Sequence, residues 1–517
     1  MIKEIKQNKL IYLILFIIIL VSAFFRLYRS GDLLGFYYDQ GRDALKVQEI
    51  LAFKDFPAIG PTTGIAGLFL GPFWFYLLVP FYWLGRGHPA VAANFISLFD
   101  VGAVFLIYWV GKEFYNRRVG LLAALFWGFS FYLVLSGRWL SNPSPVPFFT
   151  LLLIWGLGKF FIQKKEKYLI LIFTSLAICL QLEMASAVFF LPVLVALWFV
   201  FRPKIIHKKY LWISFGIFFA SLIPQILFEI KNNFLMFRNF FRFNKGEINA
   251  SSSKTWALPT FVFLKERILA YQQSLFSKLE VNPQIGSKFL SYLWLVFMIW
   301  LSIKQFVVKK NERQKMDVIL LVWLFLPLFL LLFFVGNYGQ LYDYYLTGFF
   351  PAFILLFALF VNFFFKKVLY WPIMALIIVW FLSGNALFLK HYLMAGVDGP
   401  KNISLGNQIQ AIDWVYQQTG EEKFNIDVYV PPVIPYAYAY LVPWYGQRIY
   451  SQQPLPENMP LLFILYETDE PHPERLDAWL ARQDKIAETI LTKKFGGITV
   501  ERRLRITDNK KDEKDEK

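Results

Sequence analysis

The residues best suited to chemistry in this 517-residue chain sit just past its first apolar run, in FRLYRSGDLLGFYYDQGRDALKVQEIL, where Asp39, Arg42, Asp43, Lys46 and Glu49 crowd together. The steps from Asp39 to Asp43 and from Arg42 to Lys46 are both four residues. If the segment is helical, a carboxylate pair and a basic pair share neighbouring faces. Carboxylates at a bilayer surface can deprotonate an acceptor or hold a divalent cation, while Arg and Lys neutralise a phosphate leaving group. A juxtamembrane amphipathic helix tied by its own ion pairs is the competing reading. Three further groups stand out. Glu183, in QLEM, is an ionisable side chain between two apolar runs, close to the bilayer. Asp100, in the middle of an apolar run, must face other helices and find a partner there. Tyr342, Asp343, Tyr344 and Tyr345 cluster at the end of another run, as an interfacial aromatic belt would.

The elements that must position these residues follow from composition. The chain is 57% hydrophobic and 20% aromatic, with only 17% charged residues and a net charge of +17, against about 25% charged for soluble domains. A spanning helix needs about 20 mostly apolar residues. Such runs occur at about 10–25, 90–111, 119–135, 145–162, 168–182, 184–201, 210–229, 289–303, 317–335, 346–365 and 368–389. The expected fold is a polytopic α-helical membrane protein of about 11 transmembrane helices. A further apolar stretch, 69–84, holds Pro72 and Pro80 among Phe, Tyr and Trp, the composition of an interfacial segment. If it does not cross, twenty Lys and Arg in six loops fall on one side, against Arg138 alone in the short loops opposite. The positive-inside rule then puts the N-terminus in the cytoplasm. If it crosses, the charge bias contradicts itself. The excess of basic residues is thus mostly a topology signal, and no nucleic-acid partner is expected.

With this parity, residues 26–89, 230–288 and everything past 389 face away from the cytoplasm. The expected domains are a membrane domain over 1–389, a small C-terminal extracytoplasmic α/β domain over 390–506 and a disordered charged tail over 507–517. The α/β expectation rests on helices at Gln408–Gln418 and His472–Arg482 and strands at Phe424–Val430, Leu461–Tyr466 and Ile498–Leu504. The loop KNNFLMFRNFFRFNKG, which carries Lys231, Arg238, Arg242 and Lys245 among five Phe, reads as an interfacial segment near anionic headgroups. The single cysteine, Cys179, excludes a disulfide within the chain. There is no Gly-rich phosphate loop, so no nucleotide cofactor is expected.

An N-terminal span followed by a loop with an Asp motif, YYDQGRDAL, resembles the polytopic GT-C glycosyltransferases, specifically the family of protein O-mannosyltransferases and lipid A aminoarabinose transferases. GLFLGPFWFYLLVPFYWLG is similar to that family's Pro-containing aromatic segment along the membrane, and FYNRRVGLLAALFWGFSFYLVLSGRWLSNPS to its next two spans and second outer loop. The resemblance implies a GT-C-like catalytic domain that transfers a sugar, with inversion, from a polyprenyl-phosphate donor to a glycan, lipid or protein acceptor on the extracytoplasmic face. Partners are then the polyprenyl-phosphate sugar, membrane lipids and that acceptor, and the location is the cell membrane in a prokaryote. Asp39 matches the catalytic acidic position, with Asp43 beside it. Arg42, Lys46, Arg138, Asn142, Glu183, Tyr344 and Tyr345 are the implied substrate contacts. Two positions depart from the family pattern: Gln40 replaces a second acid, and Asn142 stands where many relatives carry another. The metal is therefore left open, with a divalent cation as one option. A lipid-linked sugar flippase, or an inactive lipid- or sugar-binding relative, remains the alternative.

Overall fold

In the computed structural model, residues 4, 7–248, 258–280, 285–307, 312–335, 341–366, 368–397, 399, 401–431 and 434–506 are described. The expected tail 507–517 and part of the loop before Tyr345 lie outside them. The apolar runs form helices, which satisfy their backbone polar groups internally where lipid offers no partner. They are α1 (Lys9–Leu27), α2 (Tyr38–Leu51), α3 (Phe73–Leu84), α4 (Pro89–Phe114), α5 (Arg117–Phe129), α6 (Phe131–Arg138), α7 (Val146–Leu157), α8 (Tyr168–Leu182), α9 (Phe190–Phe201), α10 (Lys208–Lys231), α11 (Leu235–Asn244), α12 (Phe261–Ser277), α13 (Ile285–Val307), α14 (Glu312–Leu331), α15 (Phe350–Phe363) and α16 (Trp371–Met394).

Among the described residues, six helices are long and apolar enough to cross a membrane: Lys9–Leu27, Pro89–Phe114, Met184–Phe201, Lys208–Lys231, Gln314–Leu331 and Val368–Met394. Helices α5 and α6 reach that length only together and meet at a bend of 64°. The bend is stabilised locally. The Phe131 amide donates to Asn385 Oδ1 at 2.7 Å, and Ser130 Oγ takes the Leu133 amide at 3.3 Å, so backbone groups freed by the kink are bonded by side chains. Phe73–Leu84, Val146–Ile162, Tyr168–Leu182 and Phe350–Phe363 are shorter apolar helices.

Two ends of the bundle are distinguished by their contacts. At one, Glu4 pairs with Lys112 at 2.8 Å and with Arg117 at 3.3 Å. At the other, where α1 ends and α4 begins, the chain meets the terminal domain. Helix α3 has both of its ends there: Trp74 bonds Asp43, and the turn after Leu84 accepts from Trp444. Between the two ends, Asp100 finds its partner in Arg26 of α1 at 2.5 Å and accepts from Trp127 Nε1 at 2.8 Å. Arg26 is fully buried and also donates to Ser22 Oγ and to the Gly128 and Trp127 carbonyls. Such a pair is tolerated in a bundle because every charge on it is bonded.

The terminal domain comprises α17 (Leu405–Thr419), β1 (Phe424–Tyr429), α18 (Tyr436–Tyr445), β2 (Leu461–Glu467), α19 (Pro473–Gln483), β3 (Ala487–Phe495) and β4 (Ile498–Arg505). Its sheet has the order β1-β2-β4-β3, with β1 and β2 parallel and the other pairs antiparallel. Helix α18 and strand β3 were not among the expected elements. The domain is bonded directly to the stretch before α2: Leu405 N donates to Leu34 O at 2.8 Å, Gln408 Nε2 to Phe36 O at 2.9 Å and Tyr37 Oη to Ile403 O at 2.8 Å.

Candidate functional site

The Asp motif lies in the first turns of α2. Gln40 ties this start in place. Its Oε1 accepts from the Tyr37 amide at 3.1 Å, and its Nε2 donates to Leu140 O, in the loop after α6, at 3.1 Å. A carboxylate there would make the first bond and lose the second, which gives the amide at this position a structural purpose. Gly41 lies against the terminal domain: a Cβ on it would stand 2.3 Å from the Ala437 amide nitrogen.

Arg42 bridges the two carboxylates. Nη1 reaches Asp39 Oδ1 at 2.8 Å, while Nε and Nη2 reach Asp43 Oδ1 at 2.9 and 2.7 Å. The carboxylates are not equivalent: the Asp39 side chain is 63% exposed and that of Asp43 5%. Asp43 Oδ2 is taken by Trp74 Nε1 at 2.7 Å. Burial pushes the Asp43 carboxyl up to about 6, against the opposite pull of Arg42 and of the Trp74 hydrogen bond.

A cavity of about 850 Å³ opens beside Asp39 and Arg42. Its polar end gathers Asn142, Glu183, Asp343, Tyr344 and Tyr345, from three separate parts of the chain. Its remaining wall is largely apolar, with Phe240, Phe243, Leu330, Leu331 and Phe334. Asn142 donates to Leu182 O at 2.5 Å, joining the loop after α6 to the end of α8. Glu183 caps the turn that follows it, accepting the Ala185 amide at 2.8 Å, and burial pushes its carboxyl up to about 7. Asp343 is held by Lys278 Nζ at 2.6 Å and by Ser274. Lys278, buried over the Phe350 and Tyr132 rings, was missed from the sequence, where it is an isolated lysine with no motif around it.

Of the expected site residues, then, Asp39, Arg42, Asn142, Glu183, Tyr344 and Tyr345 share one wall. Asp43, Lys46 and Arg138 lie outside it. Asp43 sits behind Arg42, as described. Lys46 pairs with Glu49 and, at 2.9 Å, with Asp55, facing a different hollow. Arg138 is buried, with Nη1 donating to Phe25 O at 2.7 Å and its guanidinium 5.3 Å over the Tyr392 ring. Among the described residues, no three His, Cys, Asp or Glu side chains are grouped as a metal ion would need.

The hairpin Gly60–Leu70 divides the two hollows, closed by Gly60 N to Leu70 O at 2.7 Å and Leu70 N to Pro61 O at 2.9 Å. Arg42, Pro61 and Thr62 belong to both walls.

Comparison with known proteins gives two kinds of match. Residues 71–228 match the family described as dolichyl-phosphate-mannose-protein mannosyltransferase. Among solved structures, ArnT from Cupriavidus metallidurans bound to undecaprenyl phosphate superposes with a TM-score of 0.57 at 12% identity, covering 96% of this chain and 98% of that one. The archaeal oligosaccharyltransferase AglB from Archaeoglobus fulgidus, in complex with an inhibitory peptide and a dolichol-phosphate, gives 0.50 at 11%, covering 96% and 74%. The curated protein sequences give no match. In fold over nearly its whole length, and in sequence over residues 71–228, the chain resembles the GT-C glycosyltransferases of the ArnT and protein mannosyltransferase type.

Proposed function

We propose that the protein is a membrane glycosyltransferase that takes a sugar from a polyprenyl-phosphate donor and transfers it, with inversion, to an acceptor on the extracytoplasmic face. The observation that carries this reading is the pairing of an exposed carboxylate, Asp39, with Arg42 in the wall of a mainly apolar cavity of about 850 Å³. An apolar wall suits a prenyl chain, and the polar end suits a sugar phosphate. Asp39 takes the proton of the acceptor hydroxyl as its oxygen attacks the anomeric carbon. The bond from that carbon to the phosphate oxygen breaks, its electron pair stays on the phosphate, and Arg42 neutralises the charge that develops. Asp43 is a positioning residue, since it holds Arg42 from behind. Asn142, Glu183, Tyr344 and Tyr345 supply hydrogen-bonding groups toward the sugar. The comparison with ArnT and AglB, whose structures hold undecaprenyl phosphate and a dolichol-phosphate, supports a lipid phosphate as the carrier. The same reading keeps the N-terminus cytoplasmic and the C-terminal domain extracytoplasmic, as the distribution of basic loops requires.

The test is direct. Purified protein in lipid, given labelled polyprenyl-phosphate sugars and membrane extract as acceptor, is expected to release polyprenyl phosphate and form a glycosylated product. Asp39→Asn should abolish release at unchanged expression. Full activity of that variant refutes the assignment, and movement of the intact lipid across the bilayer without cleavage identifies a flippase instead.

A further inference from the structure

Asp343 stands in the wall at the polar end of the large cavity, yet the groups that anchor it lie outside that wall. Ser274 and Lys278, on and just after α12, are four residues apart and so share one helix face, and both reach this carboxylate. Ser274 Oγ donates to Oδ1, and Lys278 Nζ donates to Oδ2 at 2.6 Å. Lys278 is 4% exposed against 56% for Asp343. Its ammonium lies over the Phe350 ring at 4.6 Å and the Tyr132 ring at 5.4 Å, and among the described residues it has no other ion pair. Taking an ammonium out of water is costly, and an apolar side chain would fill the same space without that cost. What the burial of Lys278 secures is one carboxylate, held at the cavity in a single orientation.

A carboxylate has about four lone-pair sites. Two of those on Asp343 are taken, one on each oxygen, and the exposed side of the group offers the other two. Acceptor sites side by side on one carboxylate take two parallel donors, the arrangement of hydroxyls on neighbouring ring carbons of a sugar. Tyr344, next in the chain and in the same wall, is half-exposed and sets an aromatic surface beside them. We propose that Asp343 reads two neighbouring hydroxyls of the donor sugar and that Lys278 is the positioning residue that holds it for this. The assignment rests on the transferase reading and adds to it the feature of the sugar that is selected, an adjacent pair of free hydroxyls. Lys278 is no part of the cavity wall and acts only through Asp343.

The test titrates undecaprenyl-phosphate mannose, glucose and galactose, and the monodeoxy analogues of whichever binds best, against the full-length protein in nanodiscs, with plain undecaprenyl phosphate as reference. Two analogues that lack hydroxyls on neighbouring carbons are expected to bind at least about tenfold more weakly than the parent, as loss of a hydrogen bond to a charged group does. In Asp343→Ala combined with Lys278→Met, which leaves no buried ammonium unpaired, both penalties should disappear while those at other positions stay. Lys278→Met alone should reduce the same two penalties, whereas a merely structural lysine would weaken parent and analogues alike. Unchanged binding of undecaprenyl phosphate shows that these variants are folded. If it is lost, Ser274→Ala, which removes one bond and no charge, decides by the same criterion. Penalties that survive the loss of Asp343, penalties at no neighbouring pair, or sugar lipids that bind no better than undecaprenyl phosphate overturn the assignment. Discrimination in binding without release of polyprenyl phosphate counts against the transferase reading instead, and transfer without discrimination counts against Asp343 alone.

Discussion

Two aspartates four residues apart have opposite surroundings, and the difference decides what each can do. Asp39 is open to the cavity; Asp43 is enclosed between Arg42 and Trp74. Asp43 holds Arg42 by charge only when ionised. With its carboxyl raised to about 6, ionisation is nearly complete above pH 7 and lost as the pH falls through 6. Transfer should therefore show an acid limb near pH 6. Asp43→Asn has a single acceptor oxygen, so it can serve Trp74 or Arg42 but not both, and it brings no charge to hold Arg42. We expect a loss on the order of 10²-fold, as for a slightly misplaced catalytic group, and an acid limb that no longer lies near pH 6, both read from the pH profile of donor release. The types and spacing of Asp39, Arg42 and Asp43 are plain in the sequence, since one helix turn fixes them. Their difference in exposure is not, because it depends on Trp74, 31 residues away in sequence.

At the scale of elements, the motif helix is placed by a partner that local patterning does not reveal. The helix and strands expected at Gln408–Gln418, Phe424–Val430, Leu461–Tyr466 and Ile498–Leu504 recur within a few residues, because alternation and helical spacing mark them. Helix α18, YAYAYLVPWY, has no polar face to show its period and contains Pro443, so its sequence carries no helical pattern. Yet this is the element against which Gly41 lies and where Tyr436 meets the Tyr38 ring, with centroids 4.8 Å apart. A glycine inside a helix, disfavoured by about 1 kcal/mol against alanine, was the one signal in the sequence of such a close approach. In Gly41→Ala the new methyl meets backbone and not a mobile side-chain end, so α2 and α18 must separate. We expect at least a tenfold loss of transfer together with faster amide exchange over residues 34–38 and 436–445. Normal exchange in that variant refutes the close packing of α2 on α18.

For the molecule as a whole, charge is distributed unevenly along the chain: residues 390–517 carry −3 and residues 1–389 carry +20. The basic excess belongs to residues 1–389, where it falls mostly in the segments between apolar runs. One charge inside the bundle is different in kind. Asp100 was expected to need a partner, and Arg26, placed by α1 packing on α4, supplies it. Asp100→Asn keeps an acceptor for Trp127 but leaves Arg26 buried and unpaired, at a cost of about 3 kcal/mol. The melting temperature in detergent should fall, and Arg26→Met added to Asp100→Asn should recover most of the loss. A double variant as unstable as the single one contradicts the pairing. The terminal domain has a consequence in time. Phe36 and its partner Gln408 are 372 residues apart, and a ribosome adding about 10 residues per second needs roughly half a minute to cover that stretch. Until then the contacts that seat Asp39 do not exist, so a nascent or truncated chain has its helices in the membrane but an unseated site. On the transferase reading, the site is seated only after the membrane helices that surround it have been made.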